Sequence, residues 1–320
     1  MTTPAEALEA AARESLHAPS VFNTQPWHWR ISGDTMTLTA DRTRALSTAD
    51  PDGRLLLLSC GTALHHARLA LSAAGWQTTV EHFPEPEVPA RITLTGKQPA
   101  DPATLRLAEA IDVRRTDRRA YADEPVSDAV LAGLRQAVEA QGAYLHVVRP
   151  DQLAMLAIST ELAGQAESRD PAYRAELKEW TSRPAEAGDG VPVATAVRPA
   201  LRRVPVRDFA PEGGAGLSAG EEHDAGAAYV IVFGLGDSET DLVRGGEALS
   251  ALLLTATAEG LATAPISDTV EVEWSRHLLR GLLADVGEPY VAVRVGHPGQ
   301  AGEVPPTPRR DAGDVIESDG

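Results

Sequence analysis

The sequence predicts an α+β protein made of two related halves fused in one chain, with central sheets flanked by helices and a long lid-like insertion. Three observations predict it. Helical and strand-like patterns alternate along most of the 320 residues. One stretch recurs without a gap at an offset of 185. Gly61-Thr62-Ala63-Leu64, Leu69, Ala73, Gly75 and Thr78 fall on Gly246-Glu247-Ala248-Leu249, Leu254, Ala258, Gly260 and Thr263. A long-period repeat that occurs only twice suggests a covalent dimer rather than a solenoid. From about Gly164 to Gly220 the chain turns rich in Ala, Arg, Pro and Glu and poor in aliphatic residues. An interruption of that length in a compact fold reads as a lid, an arm or disorder.

The first half is expected over residues 1–100. Leu8, Ala11, Ala12 and Leu16 share a face of a helix from Pro4 to about His17, which ends before Pro19-Ser20. Trp27, Trp29 and Ile31 alternate with His28 and Arg30, the period of a half-buried strand. Gly33-Asp34 then turns into Met36–Thr39. A helix follows from about Arg54 to Ala74, stopped by Gly75, and a strand from Ala90 to Thr95. The second half, residues 101–320, opens with a helix from Pro102 to Val113 and a basic run. Next come a helix capped by Ser127 and running to Ala140, and a strand Tyr144–Val148. Beyond the insertion at 164–220, Ala227–Phe233 is apolar on both faces and reads as a central strand. A helix Gly246–Glu259, the segment at Ala264-Pro265, a helix Ser275–Leu283 and a strand Tyr290–Val295 complete the half.

Composition narrows the partners. Twenty-nine basic against 46 acidic residues leave a formal charge of −17, which repels nucleic acid and anionic membrane. The longest apolar stretch, Ala248–Ala258, is broken by Ser250, Thr255 and Thr257 and is too short to span a bilayer. One cysteine, Cys60, permits no internal disulfide and fits a reducing, cytoplasmic setting. The N-terminus has Glu6 and Glu9 and no basic leader. Any anionic ligand must therefore be held by a local cluster of arginines working against the global field.

Arg114-Arg115-Thr116-Asp117-Arg118-Arg119 is such a cluster, four guanidiniums and a hydroxyl within six residues. Guanidinium forks grip phosphate bidentately, and a threonine hydroxyl adds a donor. The bland reading is a solvated charge run. Pro19-Ser20-Val21-Phe22-Asn23-Thr24-Gln25-Pro26-Trp27 sets hydroxyl and amide groups on a proline-bounded loop. Such groups hydrogen-bond the edge of a planar heterocycle or a sugar chain; equally, they stitch a helix end to itself. Arg198, Arg202, Arg203 and Arg207 fall close to one helical face, placed to gate a pocket, to pair with the acidic body, or to hold the 2′-phosphate of NADPH.

The loop resembles the Ala-Pro-Ser…Asn-x-Gln-Pro-Trp signature of FMN-dependent nitroreductases, and Arg114-Arg115-Thr116-x-Arg118 resembles their Arg-Arg-Ser-x-Arg element. Within that family the sequence is most similar to the fused, Acg-like members of actinobacteria. In the family homodimer the two elements come from different subunits and meet at one FMN. Here the loop occurs only in the first half and the arginine element only in the second, which implies one complete FMN site per chain and one vestigial site. The resemblance implies cofactor-binding roles for Arg114, Arg115, Thr116 and Arg118, with Ser20, Asn23 and Gln25 reaching the flavin from the other half. It also implies that Pro265, Ile266 and Ser267 run beside flavin N5 and O4. Pro308-Arg309-Arg310 resembles a late basic element, which adds Arg309 and Arg310 at the phosphate. No side chain is expected to be a catalytic acid or base.

The function implied is an oxidoreductase in which NADPH or NADH reduces FMN and a small-molecule electron acceptor, a quinone or nitroaromatic, reoxidises it. The chain would be a monomer with internal pseudo-two-fold symmetry. The alternative is a flavin-storage protein whose lid excludes nicotinamide. Other features carry less. Gly234-Leu235-Gly236 lacks the third glycine of a dinucleotide fingerprint, since position 239 is Glu. Adjacent His65 and His66 point about 100° apart on a helix and suit no metal set. Cys60, Trp27 and Trp29 read as core.

Overall fold

The computed structural model describes residues 3–299 and 302–319. The first helix, α1 (Pro4–Ser15), starts where the Thr3 hydroxyl accepts from Glu6 N at 3.3 Å and the Glu6 carboxylate accepts from Thr3 N at 2.7 Å. It buries Leu8, Ala11 and Ala12. The strands β1 (Trp27–Ser32) and β2 (Thr35–Ala40) form a hairpin, with Gly33 at φ +61° in the turn. A long helix α2 (Arg54–Ala73) leads to β3 (Trp76–Glu85) and β4 (Val88–Lys97).

Strand β3 falls where the sequence reading placed no element. Its alternation is weak, because it is an edge strand with only one face half-buried, and Pro84 lies near a register shift. A second unforeseen strand, β9 (Ile316–Ser318), lies parallel to β1. The C-terminus thereby closes the first sheet, in the order β3-β4-β2-β1-β9.

The remaining chain supplies α3 (Pro102–Val113), α4 (Asp128–Glu139), β5 (Tyr144–Val147), α5 (Leu153–Arg169) and α6 (Pro171–Thr181). These are followed by β6 (Ala228–Gly234), α7 (Glu239–Ala258), β7 (Ala262–Ile266), α8 (Asp268–Glu271), α9 (Glu273–Leu282) and β8 (Glu288–Gly296). The second sheet runs β5-β6-β8-β7 with every pairing antiparallel, and β6 is interior as its two apolar faces require. Ser127 caps α4, its hydroxyl accepting from Val130 N. Helix α7 begins seven residues earlier than the repeat alone suggests, at a capping box of Ser238 and Asp241.

Between the sheets α2 and α7 pack directly, buried on nearly all sides. Glycine makes this possible. A Cβ on Gly61 would lie 2.0 Å from Val243 O, and one on Gly246 would lie 2.0 Å from Leu58 O. The two backbones therefore touch where a side chain cannot exist.

The insertion is more ordered than its composition suggests. Residues 164–181 are helical, in α5 and α6, and only the stretch from 182 to 227 lacks helices or strands beyond single 3₁₀ turns. No helix carries Arg198, Arg202, Arg203 and Arg207, so the common helical face expected for them does not exist. The segment is pinned by a small apolar cluster in which Tyr173, Leu177, Trp180, Val191, Ala196 and Phe209 pack with Phe22, Leu46 and Ala49. Among the described residues no helix is long and apolar enough to cross a membrane, and no group of His, Cys, Asp and Glu is arranged to hold a metal ion.

Candidate active site

A cavity lies where α2, β7 and the Pro19–Phe22 loop meet the loop after α3. Leu55, Leu58, Ser59 and Thr62 of α2 form one wall, Thr116 and Arg118 another, and Ala264–Asp268 a third. The strap Val204–Phe209 crosses the remaining side. The first wall is locked to the loop, since Thr62 Oγ1 donates to Pro19 O at 2.6 Å and Ser59 Oγ accepts from Val21 N at 3.1 Å.

The Arg114–Tyr121 loop is held by an interior scaffold. Asp117 accepts from Arg119 Nε at 2.9 Å and Nη2 at 2.8 Å, so one of the four arginines is consumed in place. Arg294 of β8, 1% exposed, donates to Asp117 O and Arg119 O and pairs with Asp224 at 2.7 Å. Asp117 N donates to Thr263 O at 2.9 Å, which fastens the loop to β7.

With Arg119 neutralised, the other charges stand out. Arg114 is buried, and its Nε and Nη1 have no hydrogen-bond partner among the described residues. Burial, then the charges of Arg309 and Arg115, push its guanidinium down to about 9. Arg309 is pushed down to about 10 by burial and by Arg115, and its Nε is also unpartnered. Arg118 makes no hydrogen bond or ion pair among the described residues and lies 4.4 Å from the centroid of the Phe209 ring. Burial, followed by the Arg207 charge, lowers it to about 10. None of these three guanidiniums is paired with a carboxylate among the described residues, although both Nη atoms of Arg309 donate to protein oxygens.

No protein-family model matches the chain. Two Mycobacterium tuberculosis (strain H37Rv) proteins are similar over nearly their whole lengths. "Putative NAD(P)H nitroreductase Rv3131" is 37% identical over 325 residues, covering 98% of this chain and 92% of that one. "Putative NAD(P)H nitroreductase acg" is 37% identical over 319 residues, covering 97% and 95%. The chain belongs to the NAD(P)H nitroreductase family. Solved structures with a looser likeness include the FMN- and NADPH-dependent nitroreductase NfnB of Sphigopyxis sp. strain HMH, at 18% identity and TM-score 0.43, covering 67% of this chain and 99% of that one. A Bacteroides fragilis nitroreductase with bound FMN has 15% identity and TM-score 0.39, covering 62% and 91%.

In this nitroreductase-family chain six of the twelve expected site residues line one cavity: Ser20, Thr116, Arg118, Pro265, Ile266 and Ser267. Arg114, Arg115 and Arg309 form the cationic cluster beside it, and Arg115 also donates to Asp112 O and Arg114 O. The other three have structural partners instead. Asn23 Nδ2 donates to Gly190 O and Pro308 O, and its Oδ1 accepts from Arg309. Gln25 Nε2 donates to Gly188 O at 2.8 Å, and its Oε1 accepts from Arg310 N at 3.0 Å. Arg310 Nη1 donates to Gln25 O. These amides therefore tie the insertion and the C-terminal segment to the loop, and neither they nor Arg310 line the cavity. Phe22, Asn23 and Gln25 all have positive φ, a strain the tethers sustain.

Sequence reasoning missed Tyr229, whose unpartnered Oη belongs to a cavity-lining residue, and Asp268, fully buried in the wall. Nothing local marks either; both are brought in by the second sheet and the turn after β7. Of the three roles open to Arg207, the structure displays pairing: it reaches Glu271 at 2.9 Å and Glu167 at 3.3 Å. Cys60 is buried and its thiol is pushed up to about 12, so its helix does not activate it. His65 and His66 are core residues sharing Ser250 Oγ at 2.8 and 2.9 Å.

Proposed function

We propose that this chain is an FMN-dependent oxidoreductase that passes hydride from NADH or NADPH to a quinone or nitroaromatic, at one flavin site between its two halves. The observation that carries the reading is Arg114, a buried guanidinium with two unpartnered donors beside Arg309 and Arg115. That donor set suits a phosphate dianion, and FMN is the phosphate-bearing redox cofactor that the loop and arginine motifs imply. Bound FMN would supply the hydride chemistry at N5. Arg114, Arg115 and Arg309 would hold the phosphate, and Thr116 and Arg118, which line the cavity, would bind the polar edge of the ring. Ser20 and the backbone at Pro265–Ser267 would orient it. Leu55, Leu58, Leu249, Val206 and Phe209 give the cavity an apolar lining that would limit water around a bound flavin.

The single site is supported by the repeat. The close approach of α2 and α7 is reciprocal at the offset of 185: Gly61 meets Val243 O as Gly246 meets Leu58 O, the pattern of a two-fold contact. The same offset carries the cavity residues Thr62 and Ser267 onto Glu247 and His82. There Glu247, 2% exposed, pairs with Arg68 and accepts from His82 at 2.8 Å. A buried, paired carboxylate stands where the cavity carries the neutral Thr62 hydroxyl, and it would repel an anionic cofactor. This favours one flavin per chain and a monomeric unit of halves 1–100 and 101–320, tied by β9.

The strap Val204–Phe209, anchored by Arg207, favours a second reading in which FMN is held but reacts slowly with nicotinamide. One titration separates them. The visible spectrum of the anaerobic purified protein is followed while NADPH, then NADH, is added. Rapid bleaching of a flavin band supports the reductase, and a persistent band supports storage. No flavin band after FMN is supplied refutes both.

A further inference from the structure

Among the described residues lining the cavity, Asp268 is the one acid. It also lines a second cavity on the far side of the strap, with Glu167 and Arg207 inside and the exposed Glu161 and Lys178 at its rim. Behind Asp268 sits a buried cluster drawn from five elements. Helix α5 brings Glu167, α6 brings Tyr173, α8 brings Asp268 and Glu271, the strap brings Arg207, and the turn before α2 brings Asp50. Arg207 reaches Glu271 at 2.9 Å and Glu167 at 3.3 Å, yet its Nε and Nη1 have no hydrogen-bond partner. Tyr173 Oη donates to Glu271 Oε2 at 3.4 Å. Asp50 accepts from the backbone of Leu55 and Leu56, and Arg118 is the second cation facing Arg207.

Several buried carboxyls around one guanidinium do not all ionise. Burial pushes Glu167 up to about 8 despite the opposing Arg207 charge, with Glu271 adding to the rise, and burial pushes Asp268 up to about 6. At neutral pH the cluster therefore retains a proton on the Glu167 side and presents Asp268 to the cavity.

We propose that Asp268 is the proton donor of the active-site cavity, resupplied by the Glu167–Glu271 pair behind it. The inference rests on the function proposed above, with nicotinamide as reductant acting through the flavin. A quinone that takes a hydride becomes a hydroquinone monoanion. The stored proton moves in two linked transfers: the Glu167 carboxyl O–H bond breaks as an Asp268 O–H bond forms, and that Asp268 O–H bond breaks as the second hydroquinone O–H bond forms. Glu167 recovers its own from water through the second cavity. Asp268 lines the cavity and would be the catalytic residue in contact with the acceptor, whereas Glu167 acts through it.

The test compares a quinone with ferricyanide, which accepts electrons and needs no proton. In reduced holoprotein, Asp268→Asn is expected to lower the ratio of quinone to ferricyanide rates by about 10²-fold or more. Glu167→Gln is expected to flatten the pH dependence of quinone reduction between pH 6 and 9. If Asp268→Asn does not fold, Glu167→Gln carries the test. Independently, infrared titration of the flavin-free chain is expected to show a protonated carboxyl at pH 7 that disappears by about pH 9 and is absent in Glu167→Gln. Equal loss of both rates in Asp268→Asn, or no protonated carboxyl at pH 7, overturns the proposal. A chain that binds no flavin refutes the functional reading instead, and the infrared titration still upholds or refutes the proton store.

Discussion

Arg114→Met is expected to move stability and cofactor affinity in opposite directions. In the flavin-free chain the Arg114 guanidinium is buried with two donors unmet, and burial with the Arg309 and Arg115 charges pushes it down to about 9. At ~1.4 kcal/mol per pH unit, keeping it charged there costs about 5 kcal/mol. Methionine fills similar length without the charge, so flavin-free Arg114→Met should be more stable by about 1–3 kcal/mol, the range seen when buried charges give way to apolar groups. FMN binding should weaken, because two charge-assisted hydrogen bonds of about 1.5–3 kcal/mol each are lost, roughly 10²- to 10⁴-fold. Urea denaturation with and without FMN reads both effects. The pH sign follows from the depressed guanidinium: the handicap is present below about pH 9 and is relieved as pH rises through it, so the two flavin-free proteins should converge in alkali. A less stable Arg114→Met that binds FMN as the parent does would refute the argument and leave Arg114 a structural residue.

Further outcomes follow from the packing. Gly61→Ala would set a Cβ 2.0 Å from Val243 O and force α2 away from α7; a loss of about 3 kcal/mol is expected in chemical denaturation. Gln25→Leu removes the bonds to Gly188 O and Arg310 N, leaving buried groups unmet at about 1–3 kcal/mol each. Limited proteolysis should then cut residues 185–220 faster than in the parent. Burial lowers His65 from the ordinary 6.5 to about 4, and His66 moves in the same direction. Stability present above pH 6.5 should therefore be lost as pH falls toward 4, by on the order of 3 kcal/mol for His65 alone. Urea midpoints against pH should show that slope, lessened in His65→Gln.

The fold was legible where local physics is strong. The alternation of Trp27, Trp29 and Ile31, the cap at Ser127 and the two-faced apolar run at β6 each specify an element through nearest neighbours. The edge strand β3 and the short β9 were not legible, since an edge strand buries too little to impose a pattern and a three-residue strand imposes none. Helix α6 was hidden by composition: its apolar contacts Tyr173, Leu177 and Trp180 are three residues in a polar stretch.

The site divides the same way. The arginine element and the polar loop stand out by residue type, because a run of guanidiniums is conspicuous in an acidic chain. What each residue touches could not. Asn23 and Gln25 have the same chemistry whether they face a heterocycle or the carbonyls of Gly188 and Gly190, and only the path of the insertion chooses the latter. Arg119 and Arg114 are indistinguishable in sequence, yet one lies on Asp117 and the other has two donors unmet among the described residues. Asp268 is an ordinary residue after a strand until α5, α6 and the strap bury it beside Glu167 and Arg207. By itself the sequence determined the kinds of group present and the elements that carry them. Which groups are paired and which are left unmatched was decided only by tertiary contacts, because a charge's worth depends on the desolvation and the partner that distant segments bring to it.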